Sequence, residues 1–167
     1  MDEGLLDTNV FLHAQAHDAH TEVCRRLLHA IAAGDRAAWI DPMVLHELTY
    51  VLPRYVKGMP RCAVSLYVRT VLSWPGIRME DKPFWTSVLD TWDGDPQLNW
   101  TDAVLVERSR QTGGGIWTQN VRDFERHGFP RFGGRDAVAP TPLTLPSHPI
   151  AYIAERQPVL PVGTRTP

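Results

Sequence analysis

Acidic and amide side chains lie at several points where this sequence changes from a predicted strand to a predicted helix. Leu5-Leu6 is an apolar run too short for a helix, and Asp7 follows it directly. Thr8 and Asn9 are residue types that cap helices, so Asp7 is predicted at the carboxyl end of a buried strand. Ligands of open α/β sheets bind at that edge. A single Asp at such a turn is more often structural, so the later acids decide how Asp7 is interpreted.

Two further acids occupy the first turns of predicted helices. Glu47 follows the apolar run 37–40 and lies at the edge of the apolar stripe of its helix. A surface Glu is the simpler interpretation, yet this position also lies near the carboxyl edge of a sheet. Asp102 opens a helix for which Asn99 or Thr101 is the predicted N-cap. A carboxylate there favours the helix dipole without any catalytic role.

The last candidates follow Ile116–Thr118, a run that comes after three glycines and is predicted as a strand. Asn120 and Asp123 are the polar residues at the carboxyl end of this run. Because the carboxyl ends of parallel strands share one edge of a sheet, these oxygen-bearing side chains are expected to converge with Asp7.

Carboxylates gathered in this way need a cation among them, because their charges otherwise repel and raise each other's pKa. No Lys or Arg adjoins Asp7, Glu47 or Asp102 in the sequence. Mg²⁺ is the expected ion, with Mn²⁺ as an alternative, since both take oxygen ligands and leave positions for water and phosphate. The seven His residues are scattered and the two Cys residues are far apart, so zinc is not expected.

The whole chain has the composition of one compact domain, with 167 residues, of which 43 % are hydrophobic and 22 % charged. Its net charge of −2 argues against binding nucleic acid by bulk positive charge. Strand-like runs alternate with amphipathic helices, which predicts an α/β fold with a mainly parallel sheet. Gly34 is predicted to end the second helix as its C-cap, and Asp41 is predicted to cap the next helix. A short edge strand is expected at 77–79, and Pro53 is expected to kink or end its helix. Neither a signal peptide nor a membrane-spanning stretch is expected, so a cytoplasmic location is predicted.

Four segments together resemble PIN-domain ribonucleases, and most closely the VapC toxins of bacterial toxin–antitoxin pairs. They follow the family's order over about residues 4–130. The segments are Leu5-Leu6-Asp7-Thr8-Asn9-Val10, Val44-Leu45-His46-Glu47-Leu48, Thr101-Asp102-Ala103-Val104-Leu105 and Trp117-Thr118-Gln119-Asn120-Val121-Arg122-Asp123-Phe124. The first segment alone is a weak signal, whereas the four together are fairly specific.

The resemblance implies a PIN-like three-layer α/β/α sandwich with a central, mainly parallel sheet, in a domain of residues 1–139. It implies a Mg²⁺-dependent endoribonuclease that hydrolyses RNA phosphodiester bonds and leaves 5′-phosphate and 3′-hydroxyl ends. The implied partners are an RNA substrate, a second copy of the chain in a homodimer, and an antitoxin protein that covers the site. Residues 140–167 are expected to form a Pro-rich extension, partly extended or disordered, outside the resemblance.

The resemblance also assigns roles to individual residues. Asp7 and Asp102 match the main metal ligands of the family, and Glu47 and Asp123 match its other acidic positions. Asn120 matches a position where many relatives carry an acid, so either Asn120 or Asp123 fills the fourth position. The supporting residues are Thr8, Asn9, Thr118, Asn120 and Arg122. Of these, Thr8 and Thr118 match small hydroxyl positions that orient the acids or water in the family.

Other interpretations remain open at this point. Asn120 also suits a PIN-like module that binds RNA or a protein partner without cutting. A nuclease that processes cellular RNA, and is not a toxin, would carry the same motifs. A phosphatase of the haloacid-dehalogenase type is disfavoured because Asn9 stands where that class has its second acid. Arg122 and Arg126 are either phosphate contacts or solvated loop charges.

Overall fold

A computed structural model of the chain describes residues 3–118 and 120–129. They belong to one unit of the chain, residues 1–132. The elements, in chain order, are β1 (Gly4–Leu5), α1 (Thr8–Gln15), α2 (Thr21–Ala33), β2 (Ala38–Trp39), α3 (Pro42–Tyr55), α4 (Arg61–Ser73), β3 (Ile77–Arg78), α5 (Lys82–Gly94), α6 (Trp100–Thr112) and α7 (Val121–Glu125). The predicted boundary at residue 139 and the extension 140–167 lie outside the described residues.

The prediction of an α/β/α sandwich is wrong, because the described part of the chain is mainly helical. Helices hold 63 % of its residues, and each strand is only two residues long. The small sheet is parallel, with β2 between β1 and β3. The apolar runs are too short to build a wide sheet, so the helices bury most of their apolar surface against one another.

The two faces of the sheet differ in burial. Ala38 and Ile77 point into the core, whereas Leu5 is 80 % exposed and Trp39 is 39 % exposed on the opposite face. A sandwich of this class covers both faces of its parallel sheet with helices. In the described part of the chain, helices therefore leave this face of the sheet partly uncovered.

The predicted strand Ile116–Thr118 is also wrong. No strand in the described ranges pairs with it, and the preceding glycines 113–115 have unusual conformational freedom. Of its three residues only Ile116 is buried, in a small cluster with Leu98, Val106 and Phe124. Packing against α6 and α7 therefore holds this segment in place of sheet hydrogen bonds.

Several local predictions are confirmed. Asp41 caps α3 by accepting a hydrogen bond from the backbone N–H of Met43 at 2.8 Å. A short edge strand begins at Ile77. Gly34 ends α2 in the left-handed region, at a φ of 84°. Pro53 does not end α3, which continues to Tyr55.

Helix α3 lies at the centre of the core. Leu45, Leu48 and Leu52 on one of its faces are almost completely buried. The helix contacts α1, α4 and α6. Its opposite face is exposed, for example at Met43 and Tyr50. Neither α3 nor any other helix of the described ranges combines the length and the apolar character needed to cross a lipid bilayer.

Arg61, the first residue of α4, connects α4 to the turn between α5 and α6. Its guanidinium donates to the backbone carbonyls of Trp92, Asp95 and Leu98, each at 2.7 Å. The guanidinium carbon also lies 4.5 Å from the centre of the Trp92 ring. Burial lowers the pKa of Arg61, and the charges of Asp93 and Asp95 oppose that lowering. The planar fork of the guanidinium thus fixes three carbonyls of the turn at once.

We expect Arg61→Lys to lower the free energy of unfolding by about 2–3 kcal/mol, because one ammonium group cannot replace three directed hydrogen bonds to carbonyls. Urea unfolding followed by circular dichroism measures the change. Arg69→Lys on the same helix is the matched control. Arg69 pairs with the exposed Asp90 at 2.7 Å, a contact that lysine can replace at little cost. Equal losses of unfolding free energy in the two variants would contradict the special role of Arg61.

Candidate metal centre

Asp7 lies between β1 and α1. Its backbone is extended, as expected for an N-cap, but its side chain accepts no capping hydrogen bond from the helix. Oδ2 of Asp7 accepts instead a hydrogen bond from the side-chain amide of Asn9 at 3.0 Å. Helix capping therefore does not explain this exposed carboxylate.

A hydrogen bond joins the first two sequence motifs. Thr8 is only 2 % exposed, and its hydroxyl donates to Oε2 of Glu47 on α3 at 2.6 Å. The contact holds the exposed carboxylate of Glu47 next to the start of α1. Thr8 thus lies where it can orient an acid, which is the role that the resemblance implies for it.

Asp102 lies in the first turn of α6 and is bound by the N-cap residue Asn99. The Oδ1 atom of Asn99 accepts a hydrogen bond from the backbone N–H of Asp102 at 2.9 Å, and its amide donates to Oδ2 of Asp102 at 2.7 Å. Burial raises the pKa of Asp102, the charge of Asp123 raises it further, and a hydrogen bond from Asn99 lowers it. The third and fourth motifs are therefore close enough for their charges to interact.

Asp123 on α7 is bound at both carboxylate oxygens. The side-chain amide of Asn120 donates to Oδ2 at 2.6 Å, and Nη2 of Arg126 lies 3.2 Å from Oδ1. The backbone N–H of Asn120 donates in turn to the hydroxyl of Thr118 at 2.9 Å. Arg126 also pairs with Asp95 at 3.1 Å. Arg126 is thus engaged in structural ion pairs, and Asn120 acts as a donor to Asp123.

The predicted acids differ in what balances their charge. Asp123 pairs with Arg126. Among the described residues, Asp7, Glu47 and Asp102 form no ion pair, and each accepts a hydrogen bond from a neutral side chain. The neutral donors are Asn9, Thr8 and Asn99, respectively. Oriented carboxylates without a cationic partner are the donor type that Mg²⁺ and Mn²⁺ prefer.

The structure brings the predicted residues together as two groups, one from the first two motifs and one from the last two. The first group contains Asp7, Thr8, Asn9 and Glu47, and the second contains Asn99, Asp102, Thr118, Asn120 and Asp123. In the described ranges, no three His, Cys, Asp or Glu side chains are grouped closely enough to hold a metal ion. A single centre that joins Asp7 to Asp102 therefore stays a prediction, although the chemistry of the donors suits the ion.

Asn99 contributes to the second group beyond the capping role predicted from the sequence. The available signal is the spacing Asn99-x-x-Asp102, in which an N-cap and a first-turn side chain can bond reciprocally. Arg122 is exposed and pairs with no acid in the described part of the chain. Of the two arginines beside the last motif, Arg122 is therefore the one available to a phosphate.

No protein-family model matches this chain, and no curated protein matches it significantly. The resemblance to VapC toxins accordingly rests on four short segments, of which the first two and the last two are in contact or in charge interaction.

A double-mutant cycle can measure the contact between Thr8 and Glu47. We expect Thr8→Val and Glu47→Ala to show a coupling free energy of about 1 kcal/mol, because each removes the same charge-assisted hydrogen bond. Thr8→Ser keeps the hydroxyl and serves as the control that retains the coupling. Unfolding free energies from urea titration supply the cycle, and strictly additive effects would argue against the contact.

The raised pKa of Asp102 predicts a pH-dependent gain in stability for Asp102→Asn. The folded chain holds the Asp102 proton more tightly than the unfolded chain, so this group's contribution to stability falls as pH rises from the ordinary value of 3.8 through the raised value. At pH 7 the ionised carboxylate therefore costs stability, and the amide should raise the Tm. The gain in Tm should vanish below the ordinary pKa of the carboxyl group, where Asp102 is protonated in both the folded and the unfolded chain. Thermal unfolding across this pH range tests the prediction, and a lower Tm of the variant at pH 7 would contradict it.

Proposed function

We propose that this chain is a Mg²⁺-dependent endoribonuclease, with Mn²⁺ as a possible substitute, that hydrolyses RNA phosphodiester bonds. In this proposal Asp7 and Asp102 hold the ion, and Glu47 and Asp123 assist. The observation that carries it is that Asp7, Glu47 and Asp102 are each oriented by a neutral donor and balanced by no cationic side chain in the described part of the chain. An ion with oxygen ligands would balance them.

The donor chemistry defines what each residue would do in this reaction. A bound Mg²⁺ supplies a polarised water and neutralises negative charge that develops at the phosphate. Asn9 and Asn99 each hold one oxygen, of Asp7 and of Asp102, and the second oxygen of each acid accepts no hydrogen bond from a described residue. Thr8 does the same for Glu47. In this proposal Arg122, which is exposed and pairs with no described acid, contacts a substrate phosphate.

A finer proposal concerns the biological role. We propose a toxin of a VapBC-type toxin–antitoxin pair, which acts as a homodimer and is neutralised by a cognate antitoxin protein. Its support is the order and content of the four motifs. A nuclease that processes RNA without being a toxin is the alternative. Induced expression in bacteria distinguishes the two, since a toxin should arrest growth in the parent form and not as Asp7→Asn.

We expect Asp7→Asn to reduce Mg²⁺-dependent RNA cleavage by at least about 100-fold, because the amide removes the negative charge that favours the ion. Cleavage of a structured RNA by the purified chain, with analysis of the product ends, measures the effect. EDTA should abolish cleavage by the parent, and Mn²⁺ should restore it.

Asp35→Asn is the matched control, because Asp35 is exposed and lies outside the four motifs. This variant should cut RNA as the parent does. An Asp7→Asn variant with full activity would refute the metal-site assignment. A parent chain that binds RNA in EDTA but never cuts it would instead support a binding module without catalysis.

A further inference from the structure

The exposed face of α3 continues beyond Glu47 with an aromatic ring and a guanidinium group. Tyr50 is 62 % exposed. The guanidinium carbon of Arg54 lies 3.5 Å from the centre of the Tyr50 ring, and Nη1 of Arg54 donates to the backbone carbonyl of Tyr50 at 3.0 Å. Arg54 forms no ion pair with any described residue. We call Glu47, Tyr50 and Arg54 the α3 strip.

The helical spacing places the α3 strip on one side of the helix. Residues three and four apart are neighbours on a helix surface, so Glu47, Tyr50 and Arg54 share one face. At the α-helical rise, Tyr50 lies about 4.5 Å and Arg54 about 10 Å along the axis from Glu47. The strip thus extends from an acid that the proposed function uses toward a positively charged end. The core of the protein does not use this face, because the buried leucines of α3 lie on the other side.

We infer that the α3 strip binds single-stranded RNA beside the cleavage site, with one nucleobase stacked on Tyr50 and a neighbouring phosphate bound by Arg54. This inference rests on the proposed endoribonuclease function and assigns part of its substrate-binding surface. Exposed aromatic rings are the usual platforms on which unpaired bases stack. Arg54 covers one face of the ring and, at this exposure, leaves the other open. Its remaining N–H groups can bind phosphate oxygens.

Charge supports RNA as the occupant of the α3 strip. The chain has a net charge of −2, and its candidate centre is acidic, so RNA needs local positive charge to approach. The unpaired guanidinium of Arg54 supplies that charge close to Glu47.

Binding of fluorescently labelled single-stranded RNA to the full chain, measured by anisotropy in EDTA, tests the inference without cleavage. An intact oligonucleotide is compared with one of equal length that carries abasic riboses. Tyr50→Leu should weaken binding of the intact RNA about tenfold and leave binding of the abasic RNA unchanged, whereas Tyr50→Phe should bind as the parent does. Arg54→Gln should weaken binding of both RNAs and reduce the salt slope by about one.

Arg26→Gln is the matched control, because Arg26 is an exposed arginine on α2 that pairs with Glu22 at 3.6 Å. Its affinity for RNA should equal that of the parent, and circular dichroism confirms that every variant is folded. Unchanged RNA affinity in both Tyr50→Leu and Arg54→Gln would overturn the inference and would favour a protein partner for this face. If Tyr50→Leu lost equal affinity for intact and abasic RNA, stacking of a base on Tyr50 would be refuted. A parent chain that binds no RNA would refute the inference as a whole.

Cleavage assays in Mg²⁺ separate failure of this inference from failure of the proposed function. A chain that binds RNA through the α3 strip but does not cut it would keep the inferred surface and refute the nuclease. A chain that cuts RNA, with Tyr50→Leu and Arg54→Gln leaving KM unchanged, would refute the inferred surface alone.

Discussion

Three backbone carbonyls at the turn between α5 and α6 meet on the single guanidinium of Arg61, and the second half of the structure depends on that contact. The same turn carries Asp95, whose side chain pairs with Arg126. It ends at Asn99, which begins α6 and binds Asp102. The half-buried guanidinium of Arg61 thereby links α4 to the segment that contacts both acids of the second group, although it touches neither of their carboxylates.

The candidate centre concentrates charge that the fold itself does not neutralise. A carboxylate that is partly buried near another, as Asp102 is near Asp123, opposes folding at neutral pH. Asp123 is compensated by Arg126, and Asp102 is not compensated by any cation of the described residues. Proteins commonly tolerate such a cost where a ligand later removes it, and stability and activity then make opposite demands on the same residue.

Local features of this fold were predictable from the sequence, and its long-range pairing was not. The caps at Asp41 and Gly34 depend on residues next to them in the chain, so their types and spacing suffice. The strand predicted at 116–118 failed because a strand needs a partner, and no local pattern reveals whether one is present. Within the candidate site, the acidic residues could be predicted because they lie at turns and at the starts of helices, which local sequence patterns indicate. The ion pair of Asp123 with Arg126 lies within a single helical turn, yet only the tertiary structure shows that Arg126 is held there by a second acid from a distant turn.

The two faces of helix α3 are under different constraints, because one face is buried in the core and the other is exposed. Leu45, Leu48 and Leu52 are enclosed by neighbouring helices, so a change in their volume would disturb several contacts at once. Tyr50 and Arg54 face solvent, where substitutions generally alter stability little. In evolutionary terms, the fold constrains the inner face of α3, whereas ligand binding is the constraint on its outer face. Descendants of this chain could therefore acquire different ligand preferences by surface change alone, without first finding a new core.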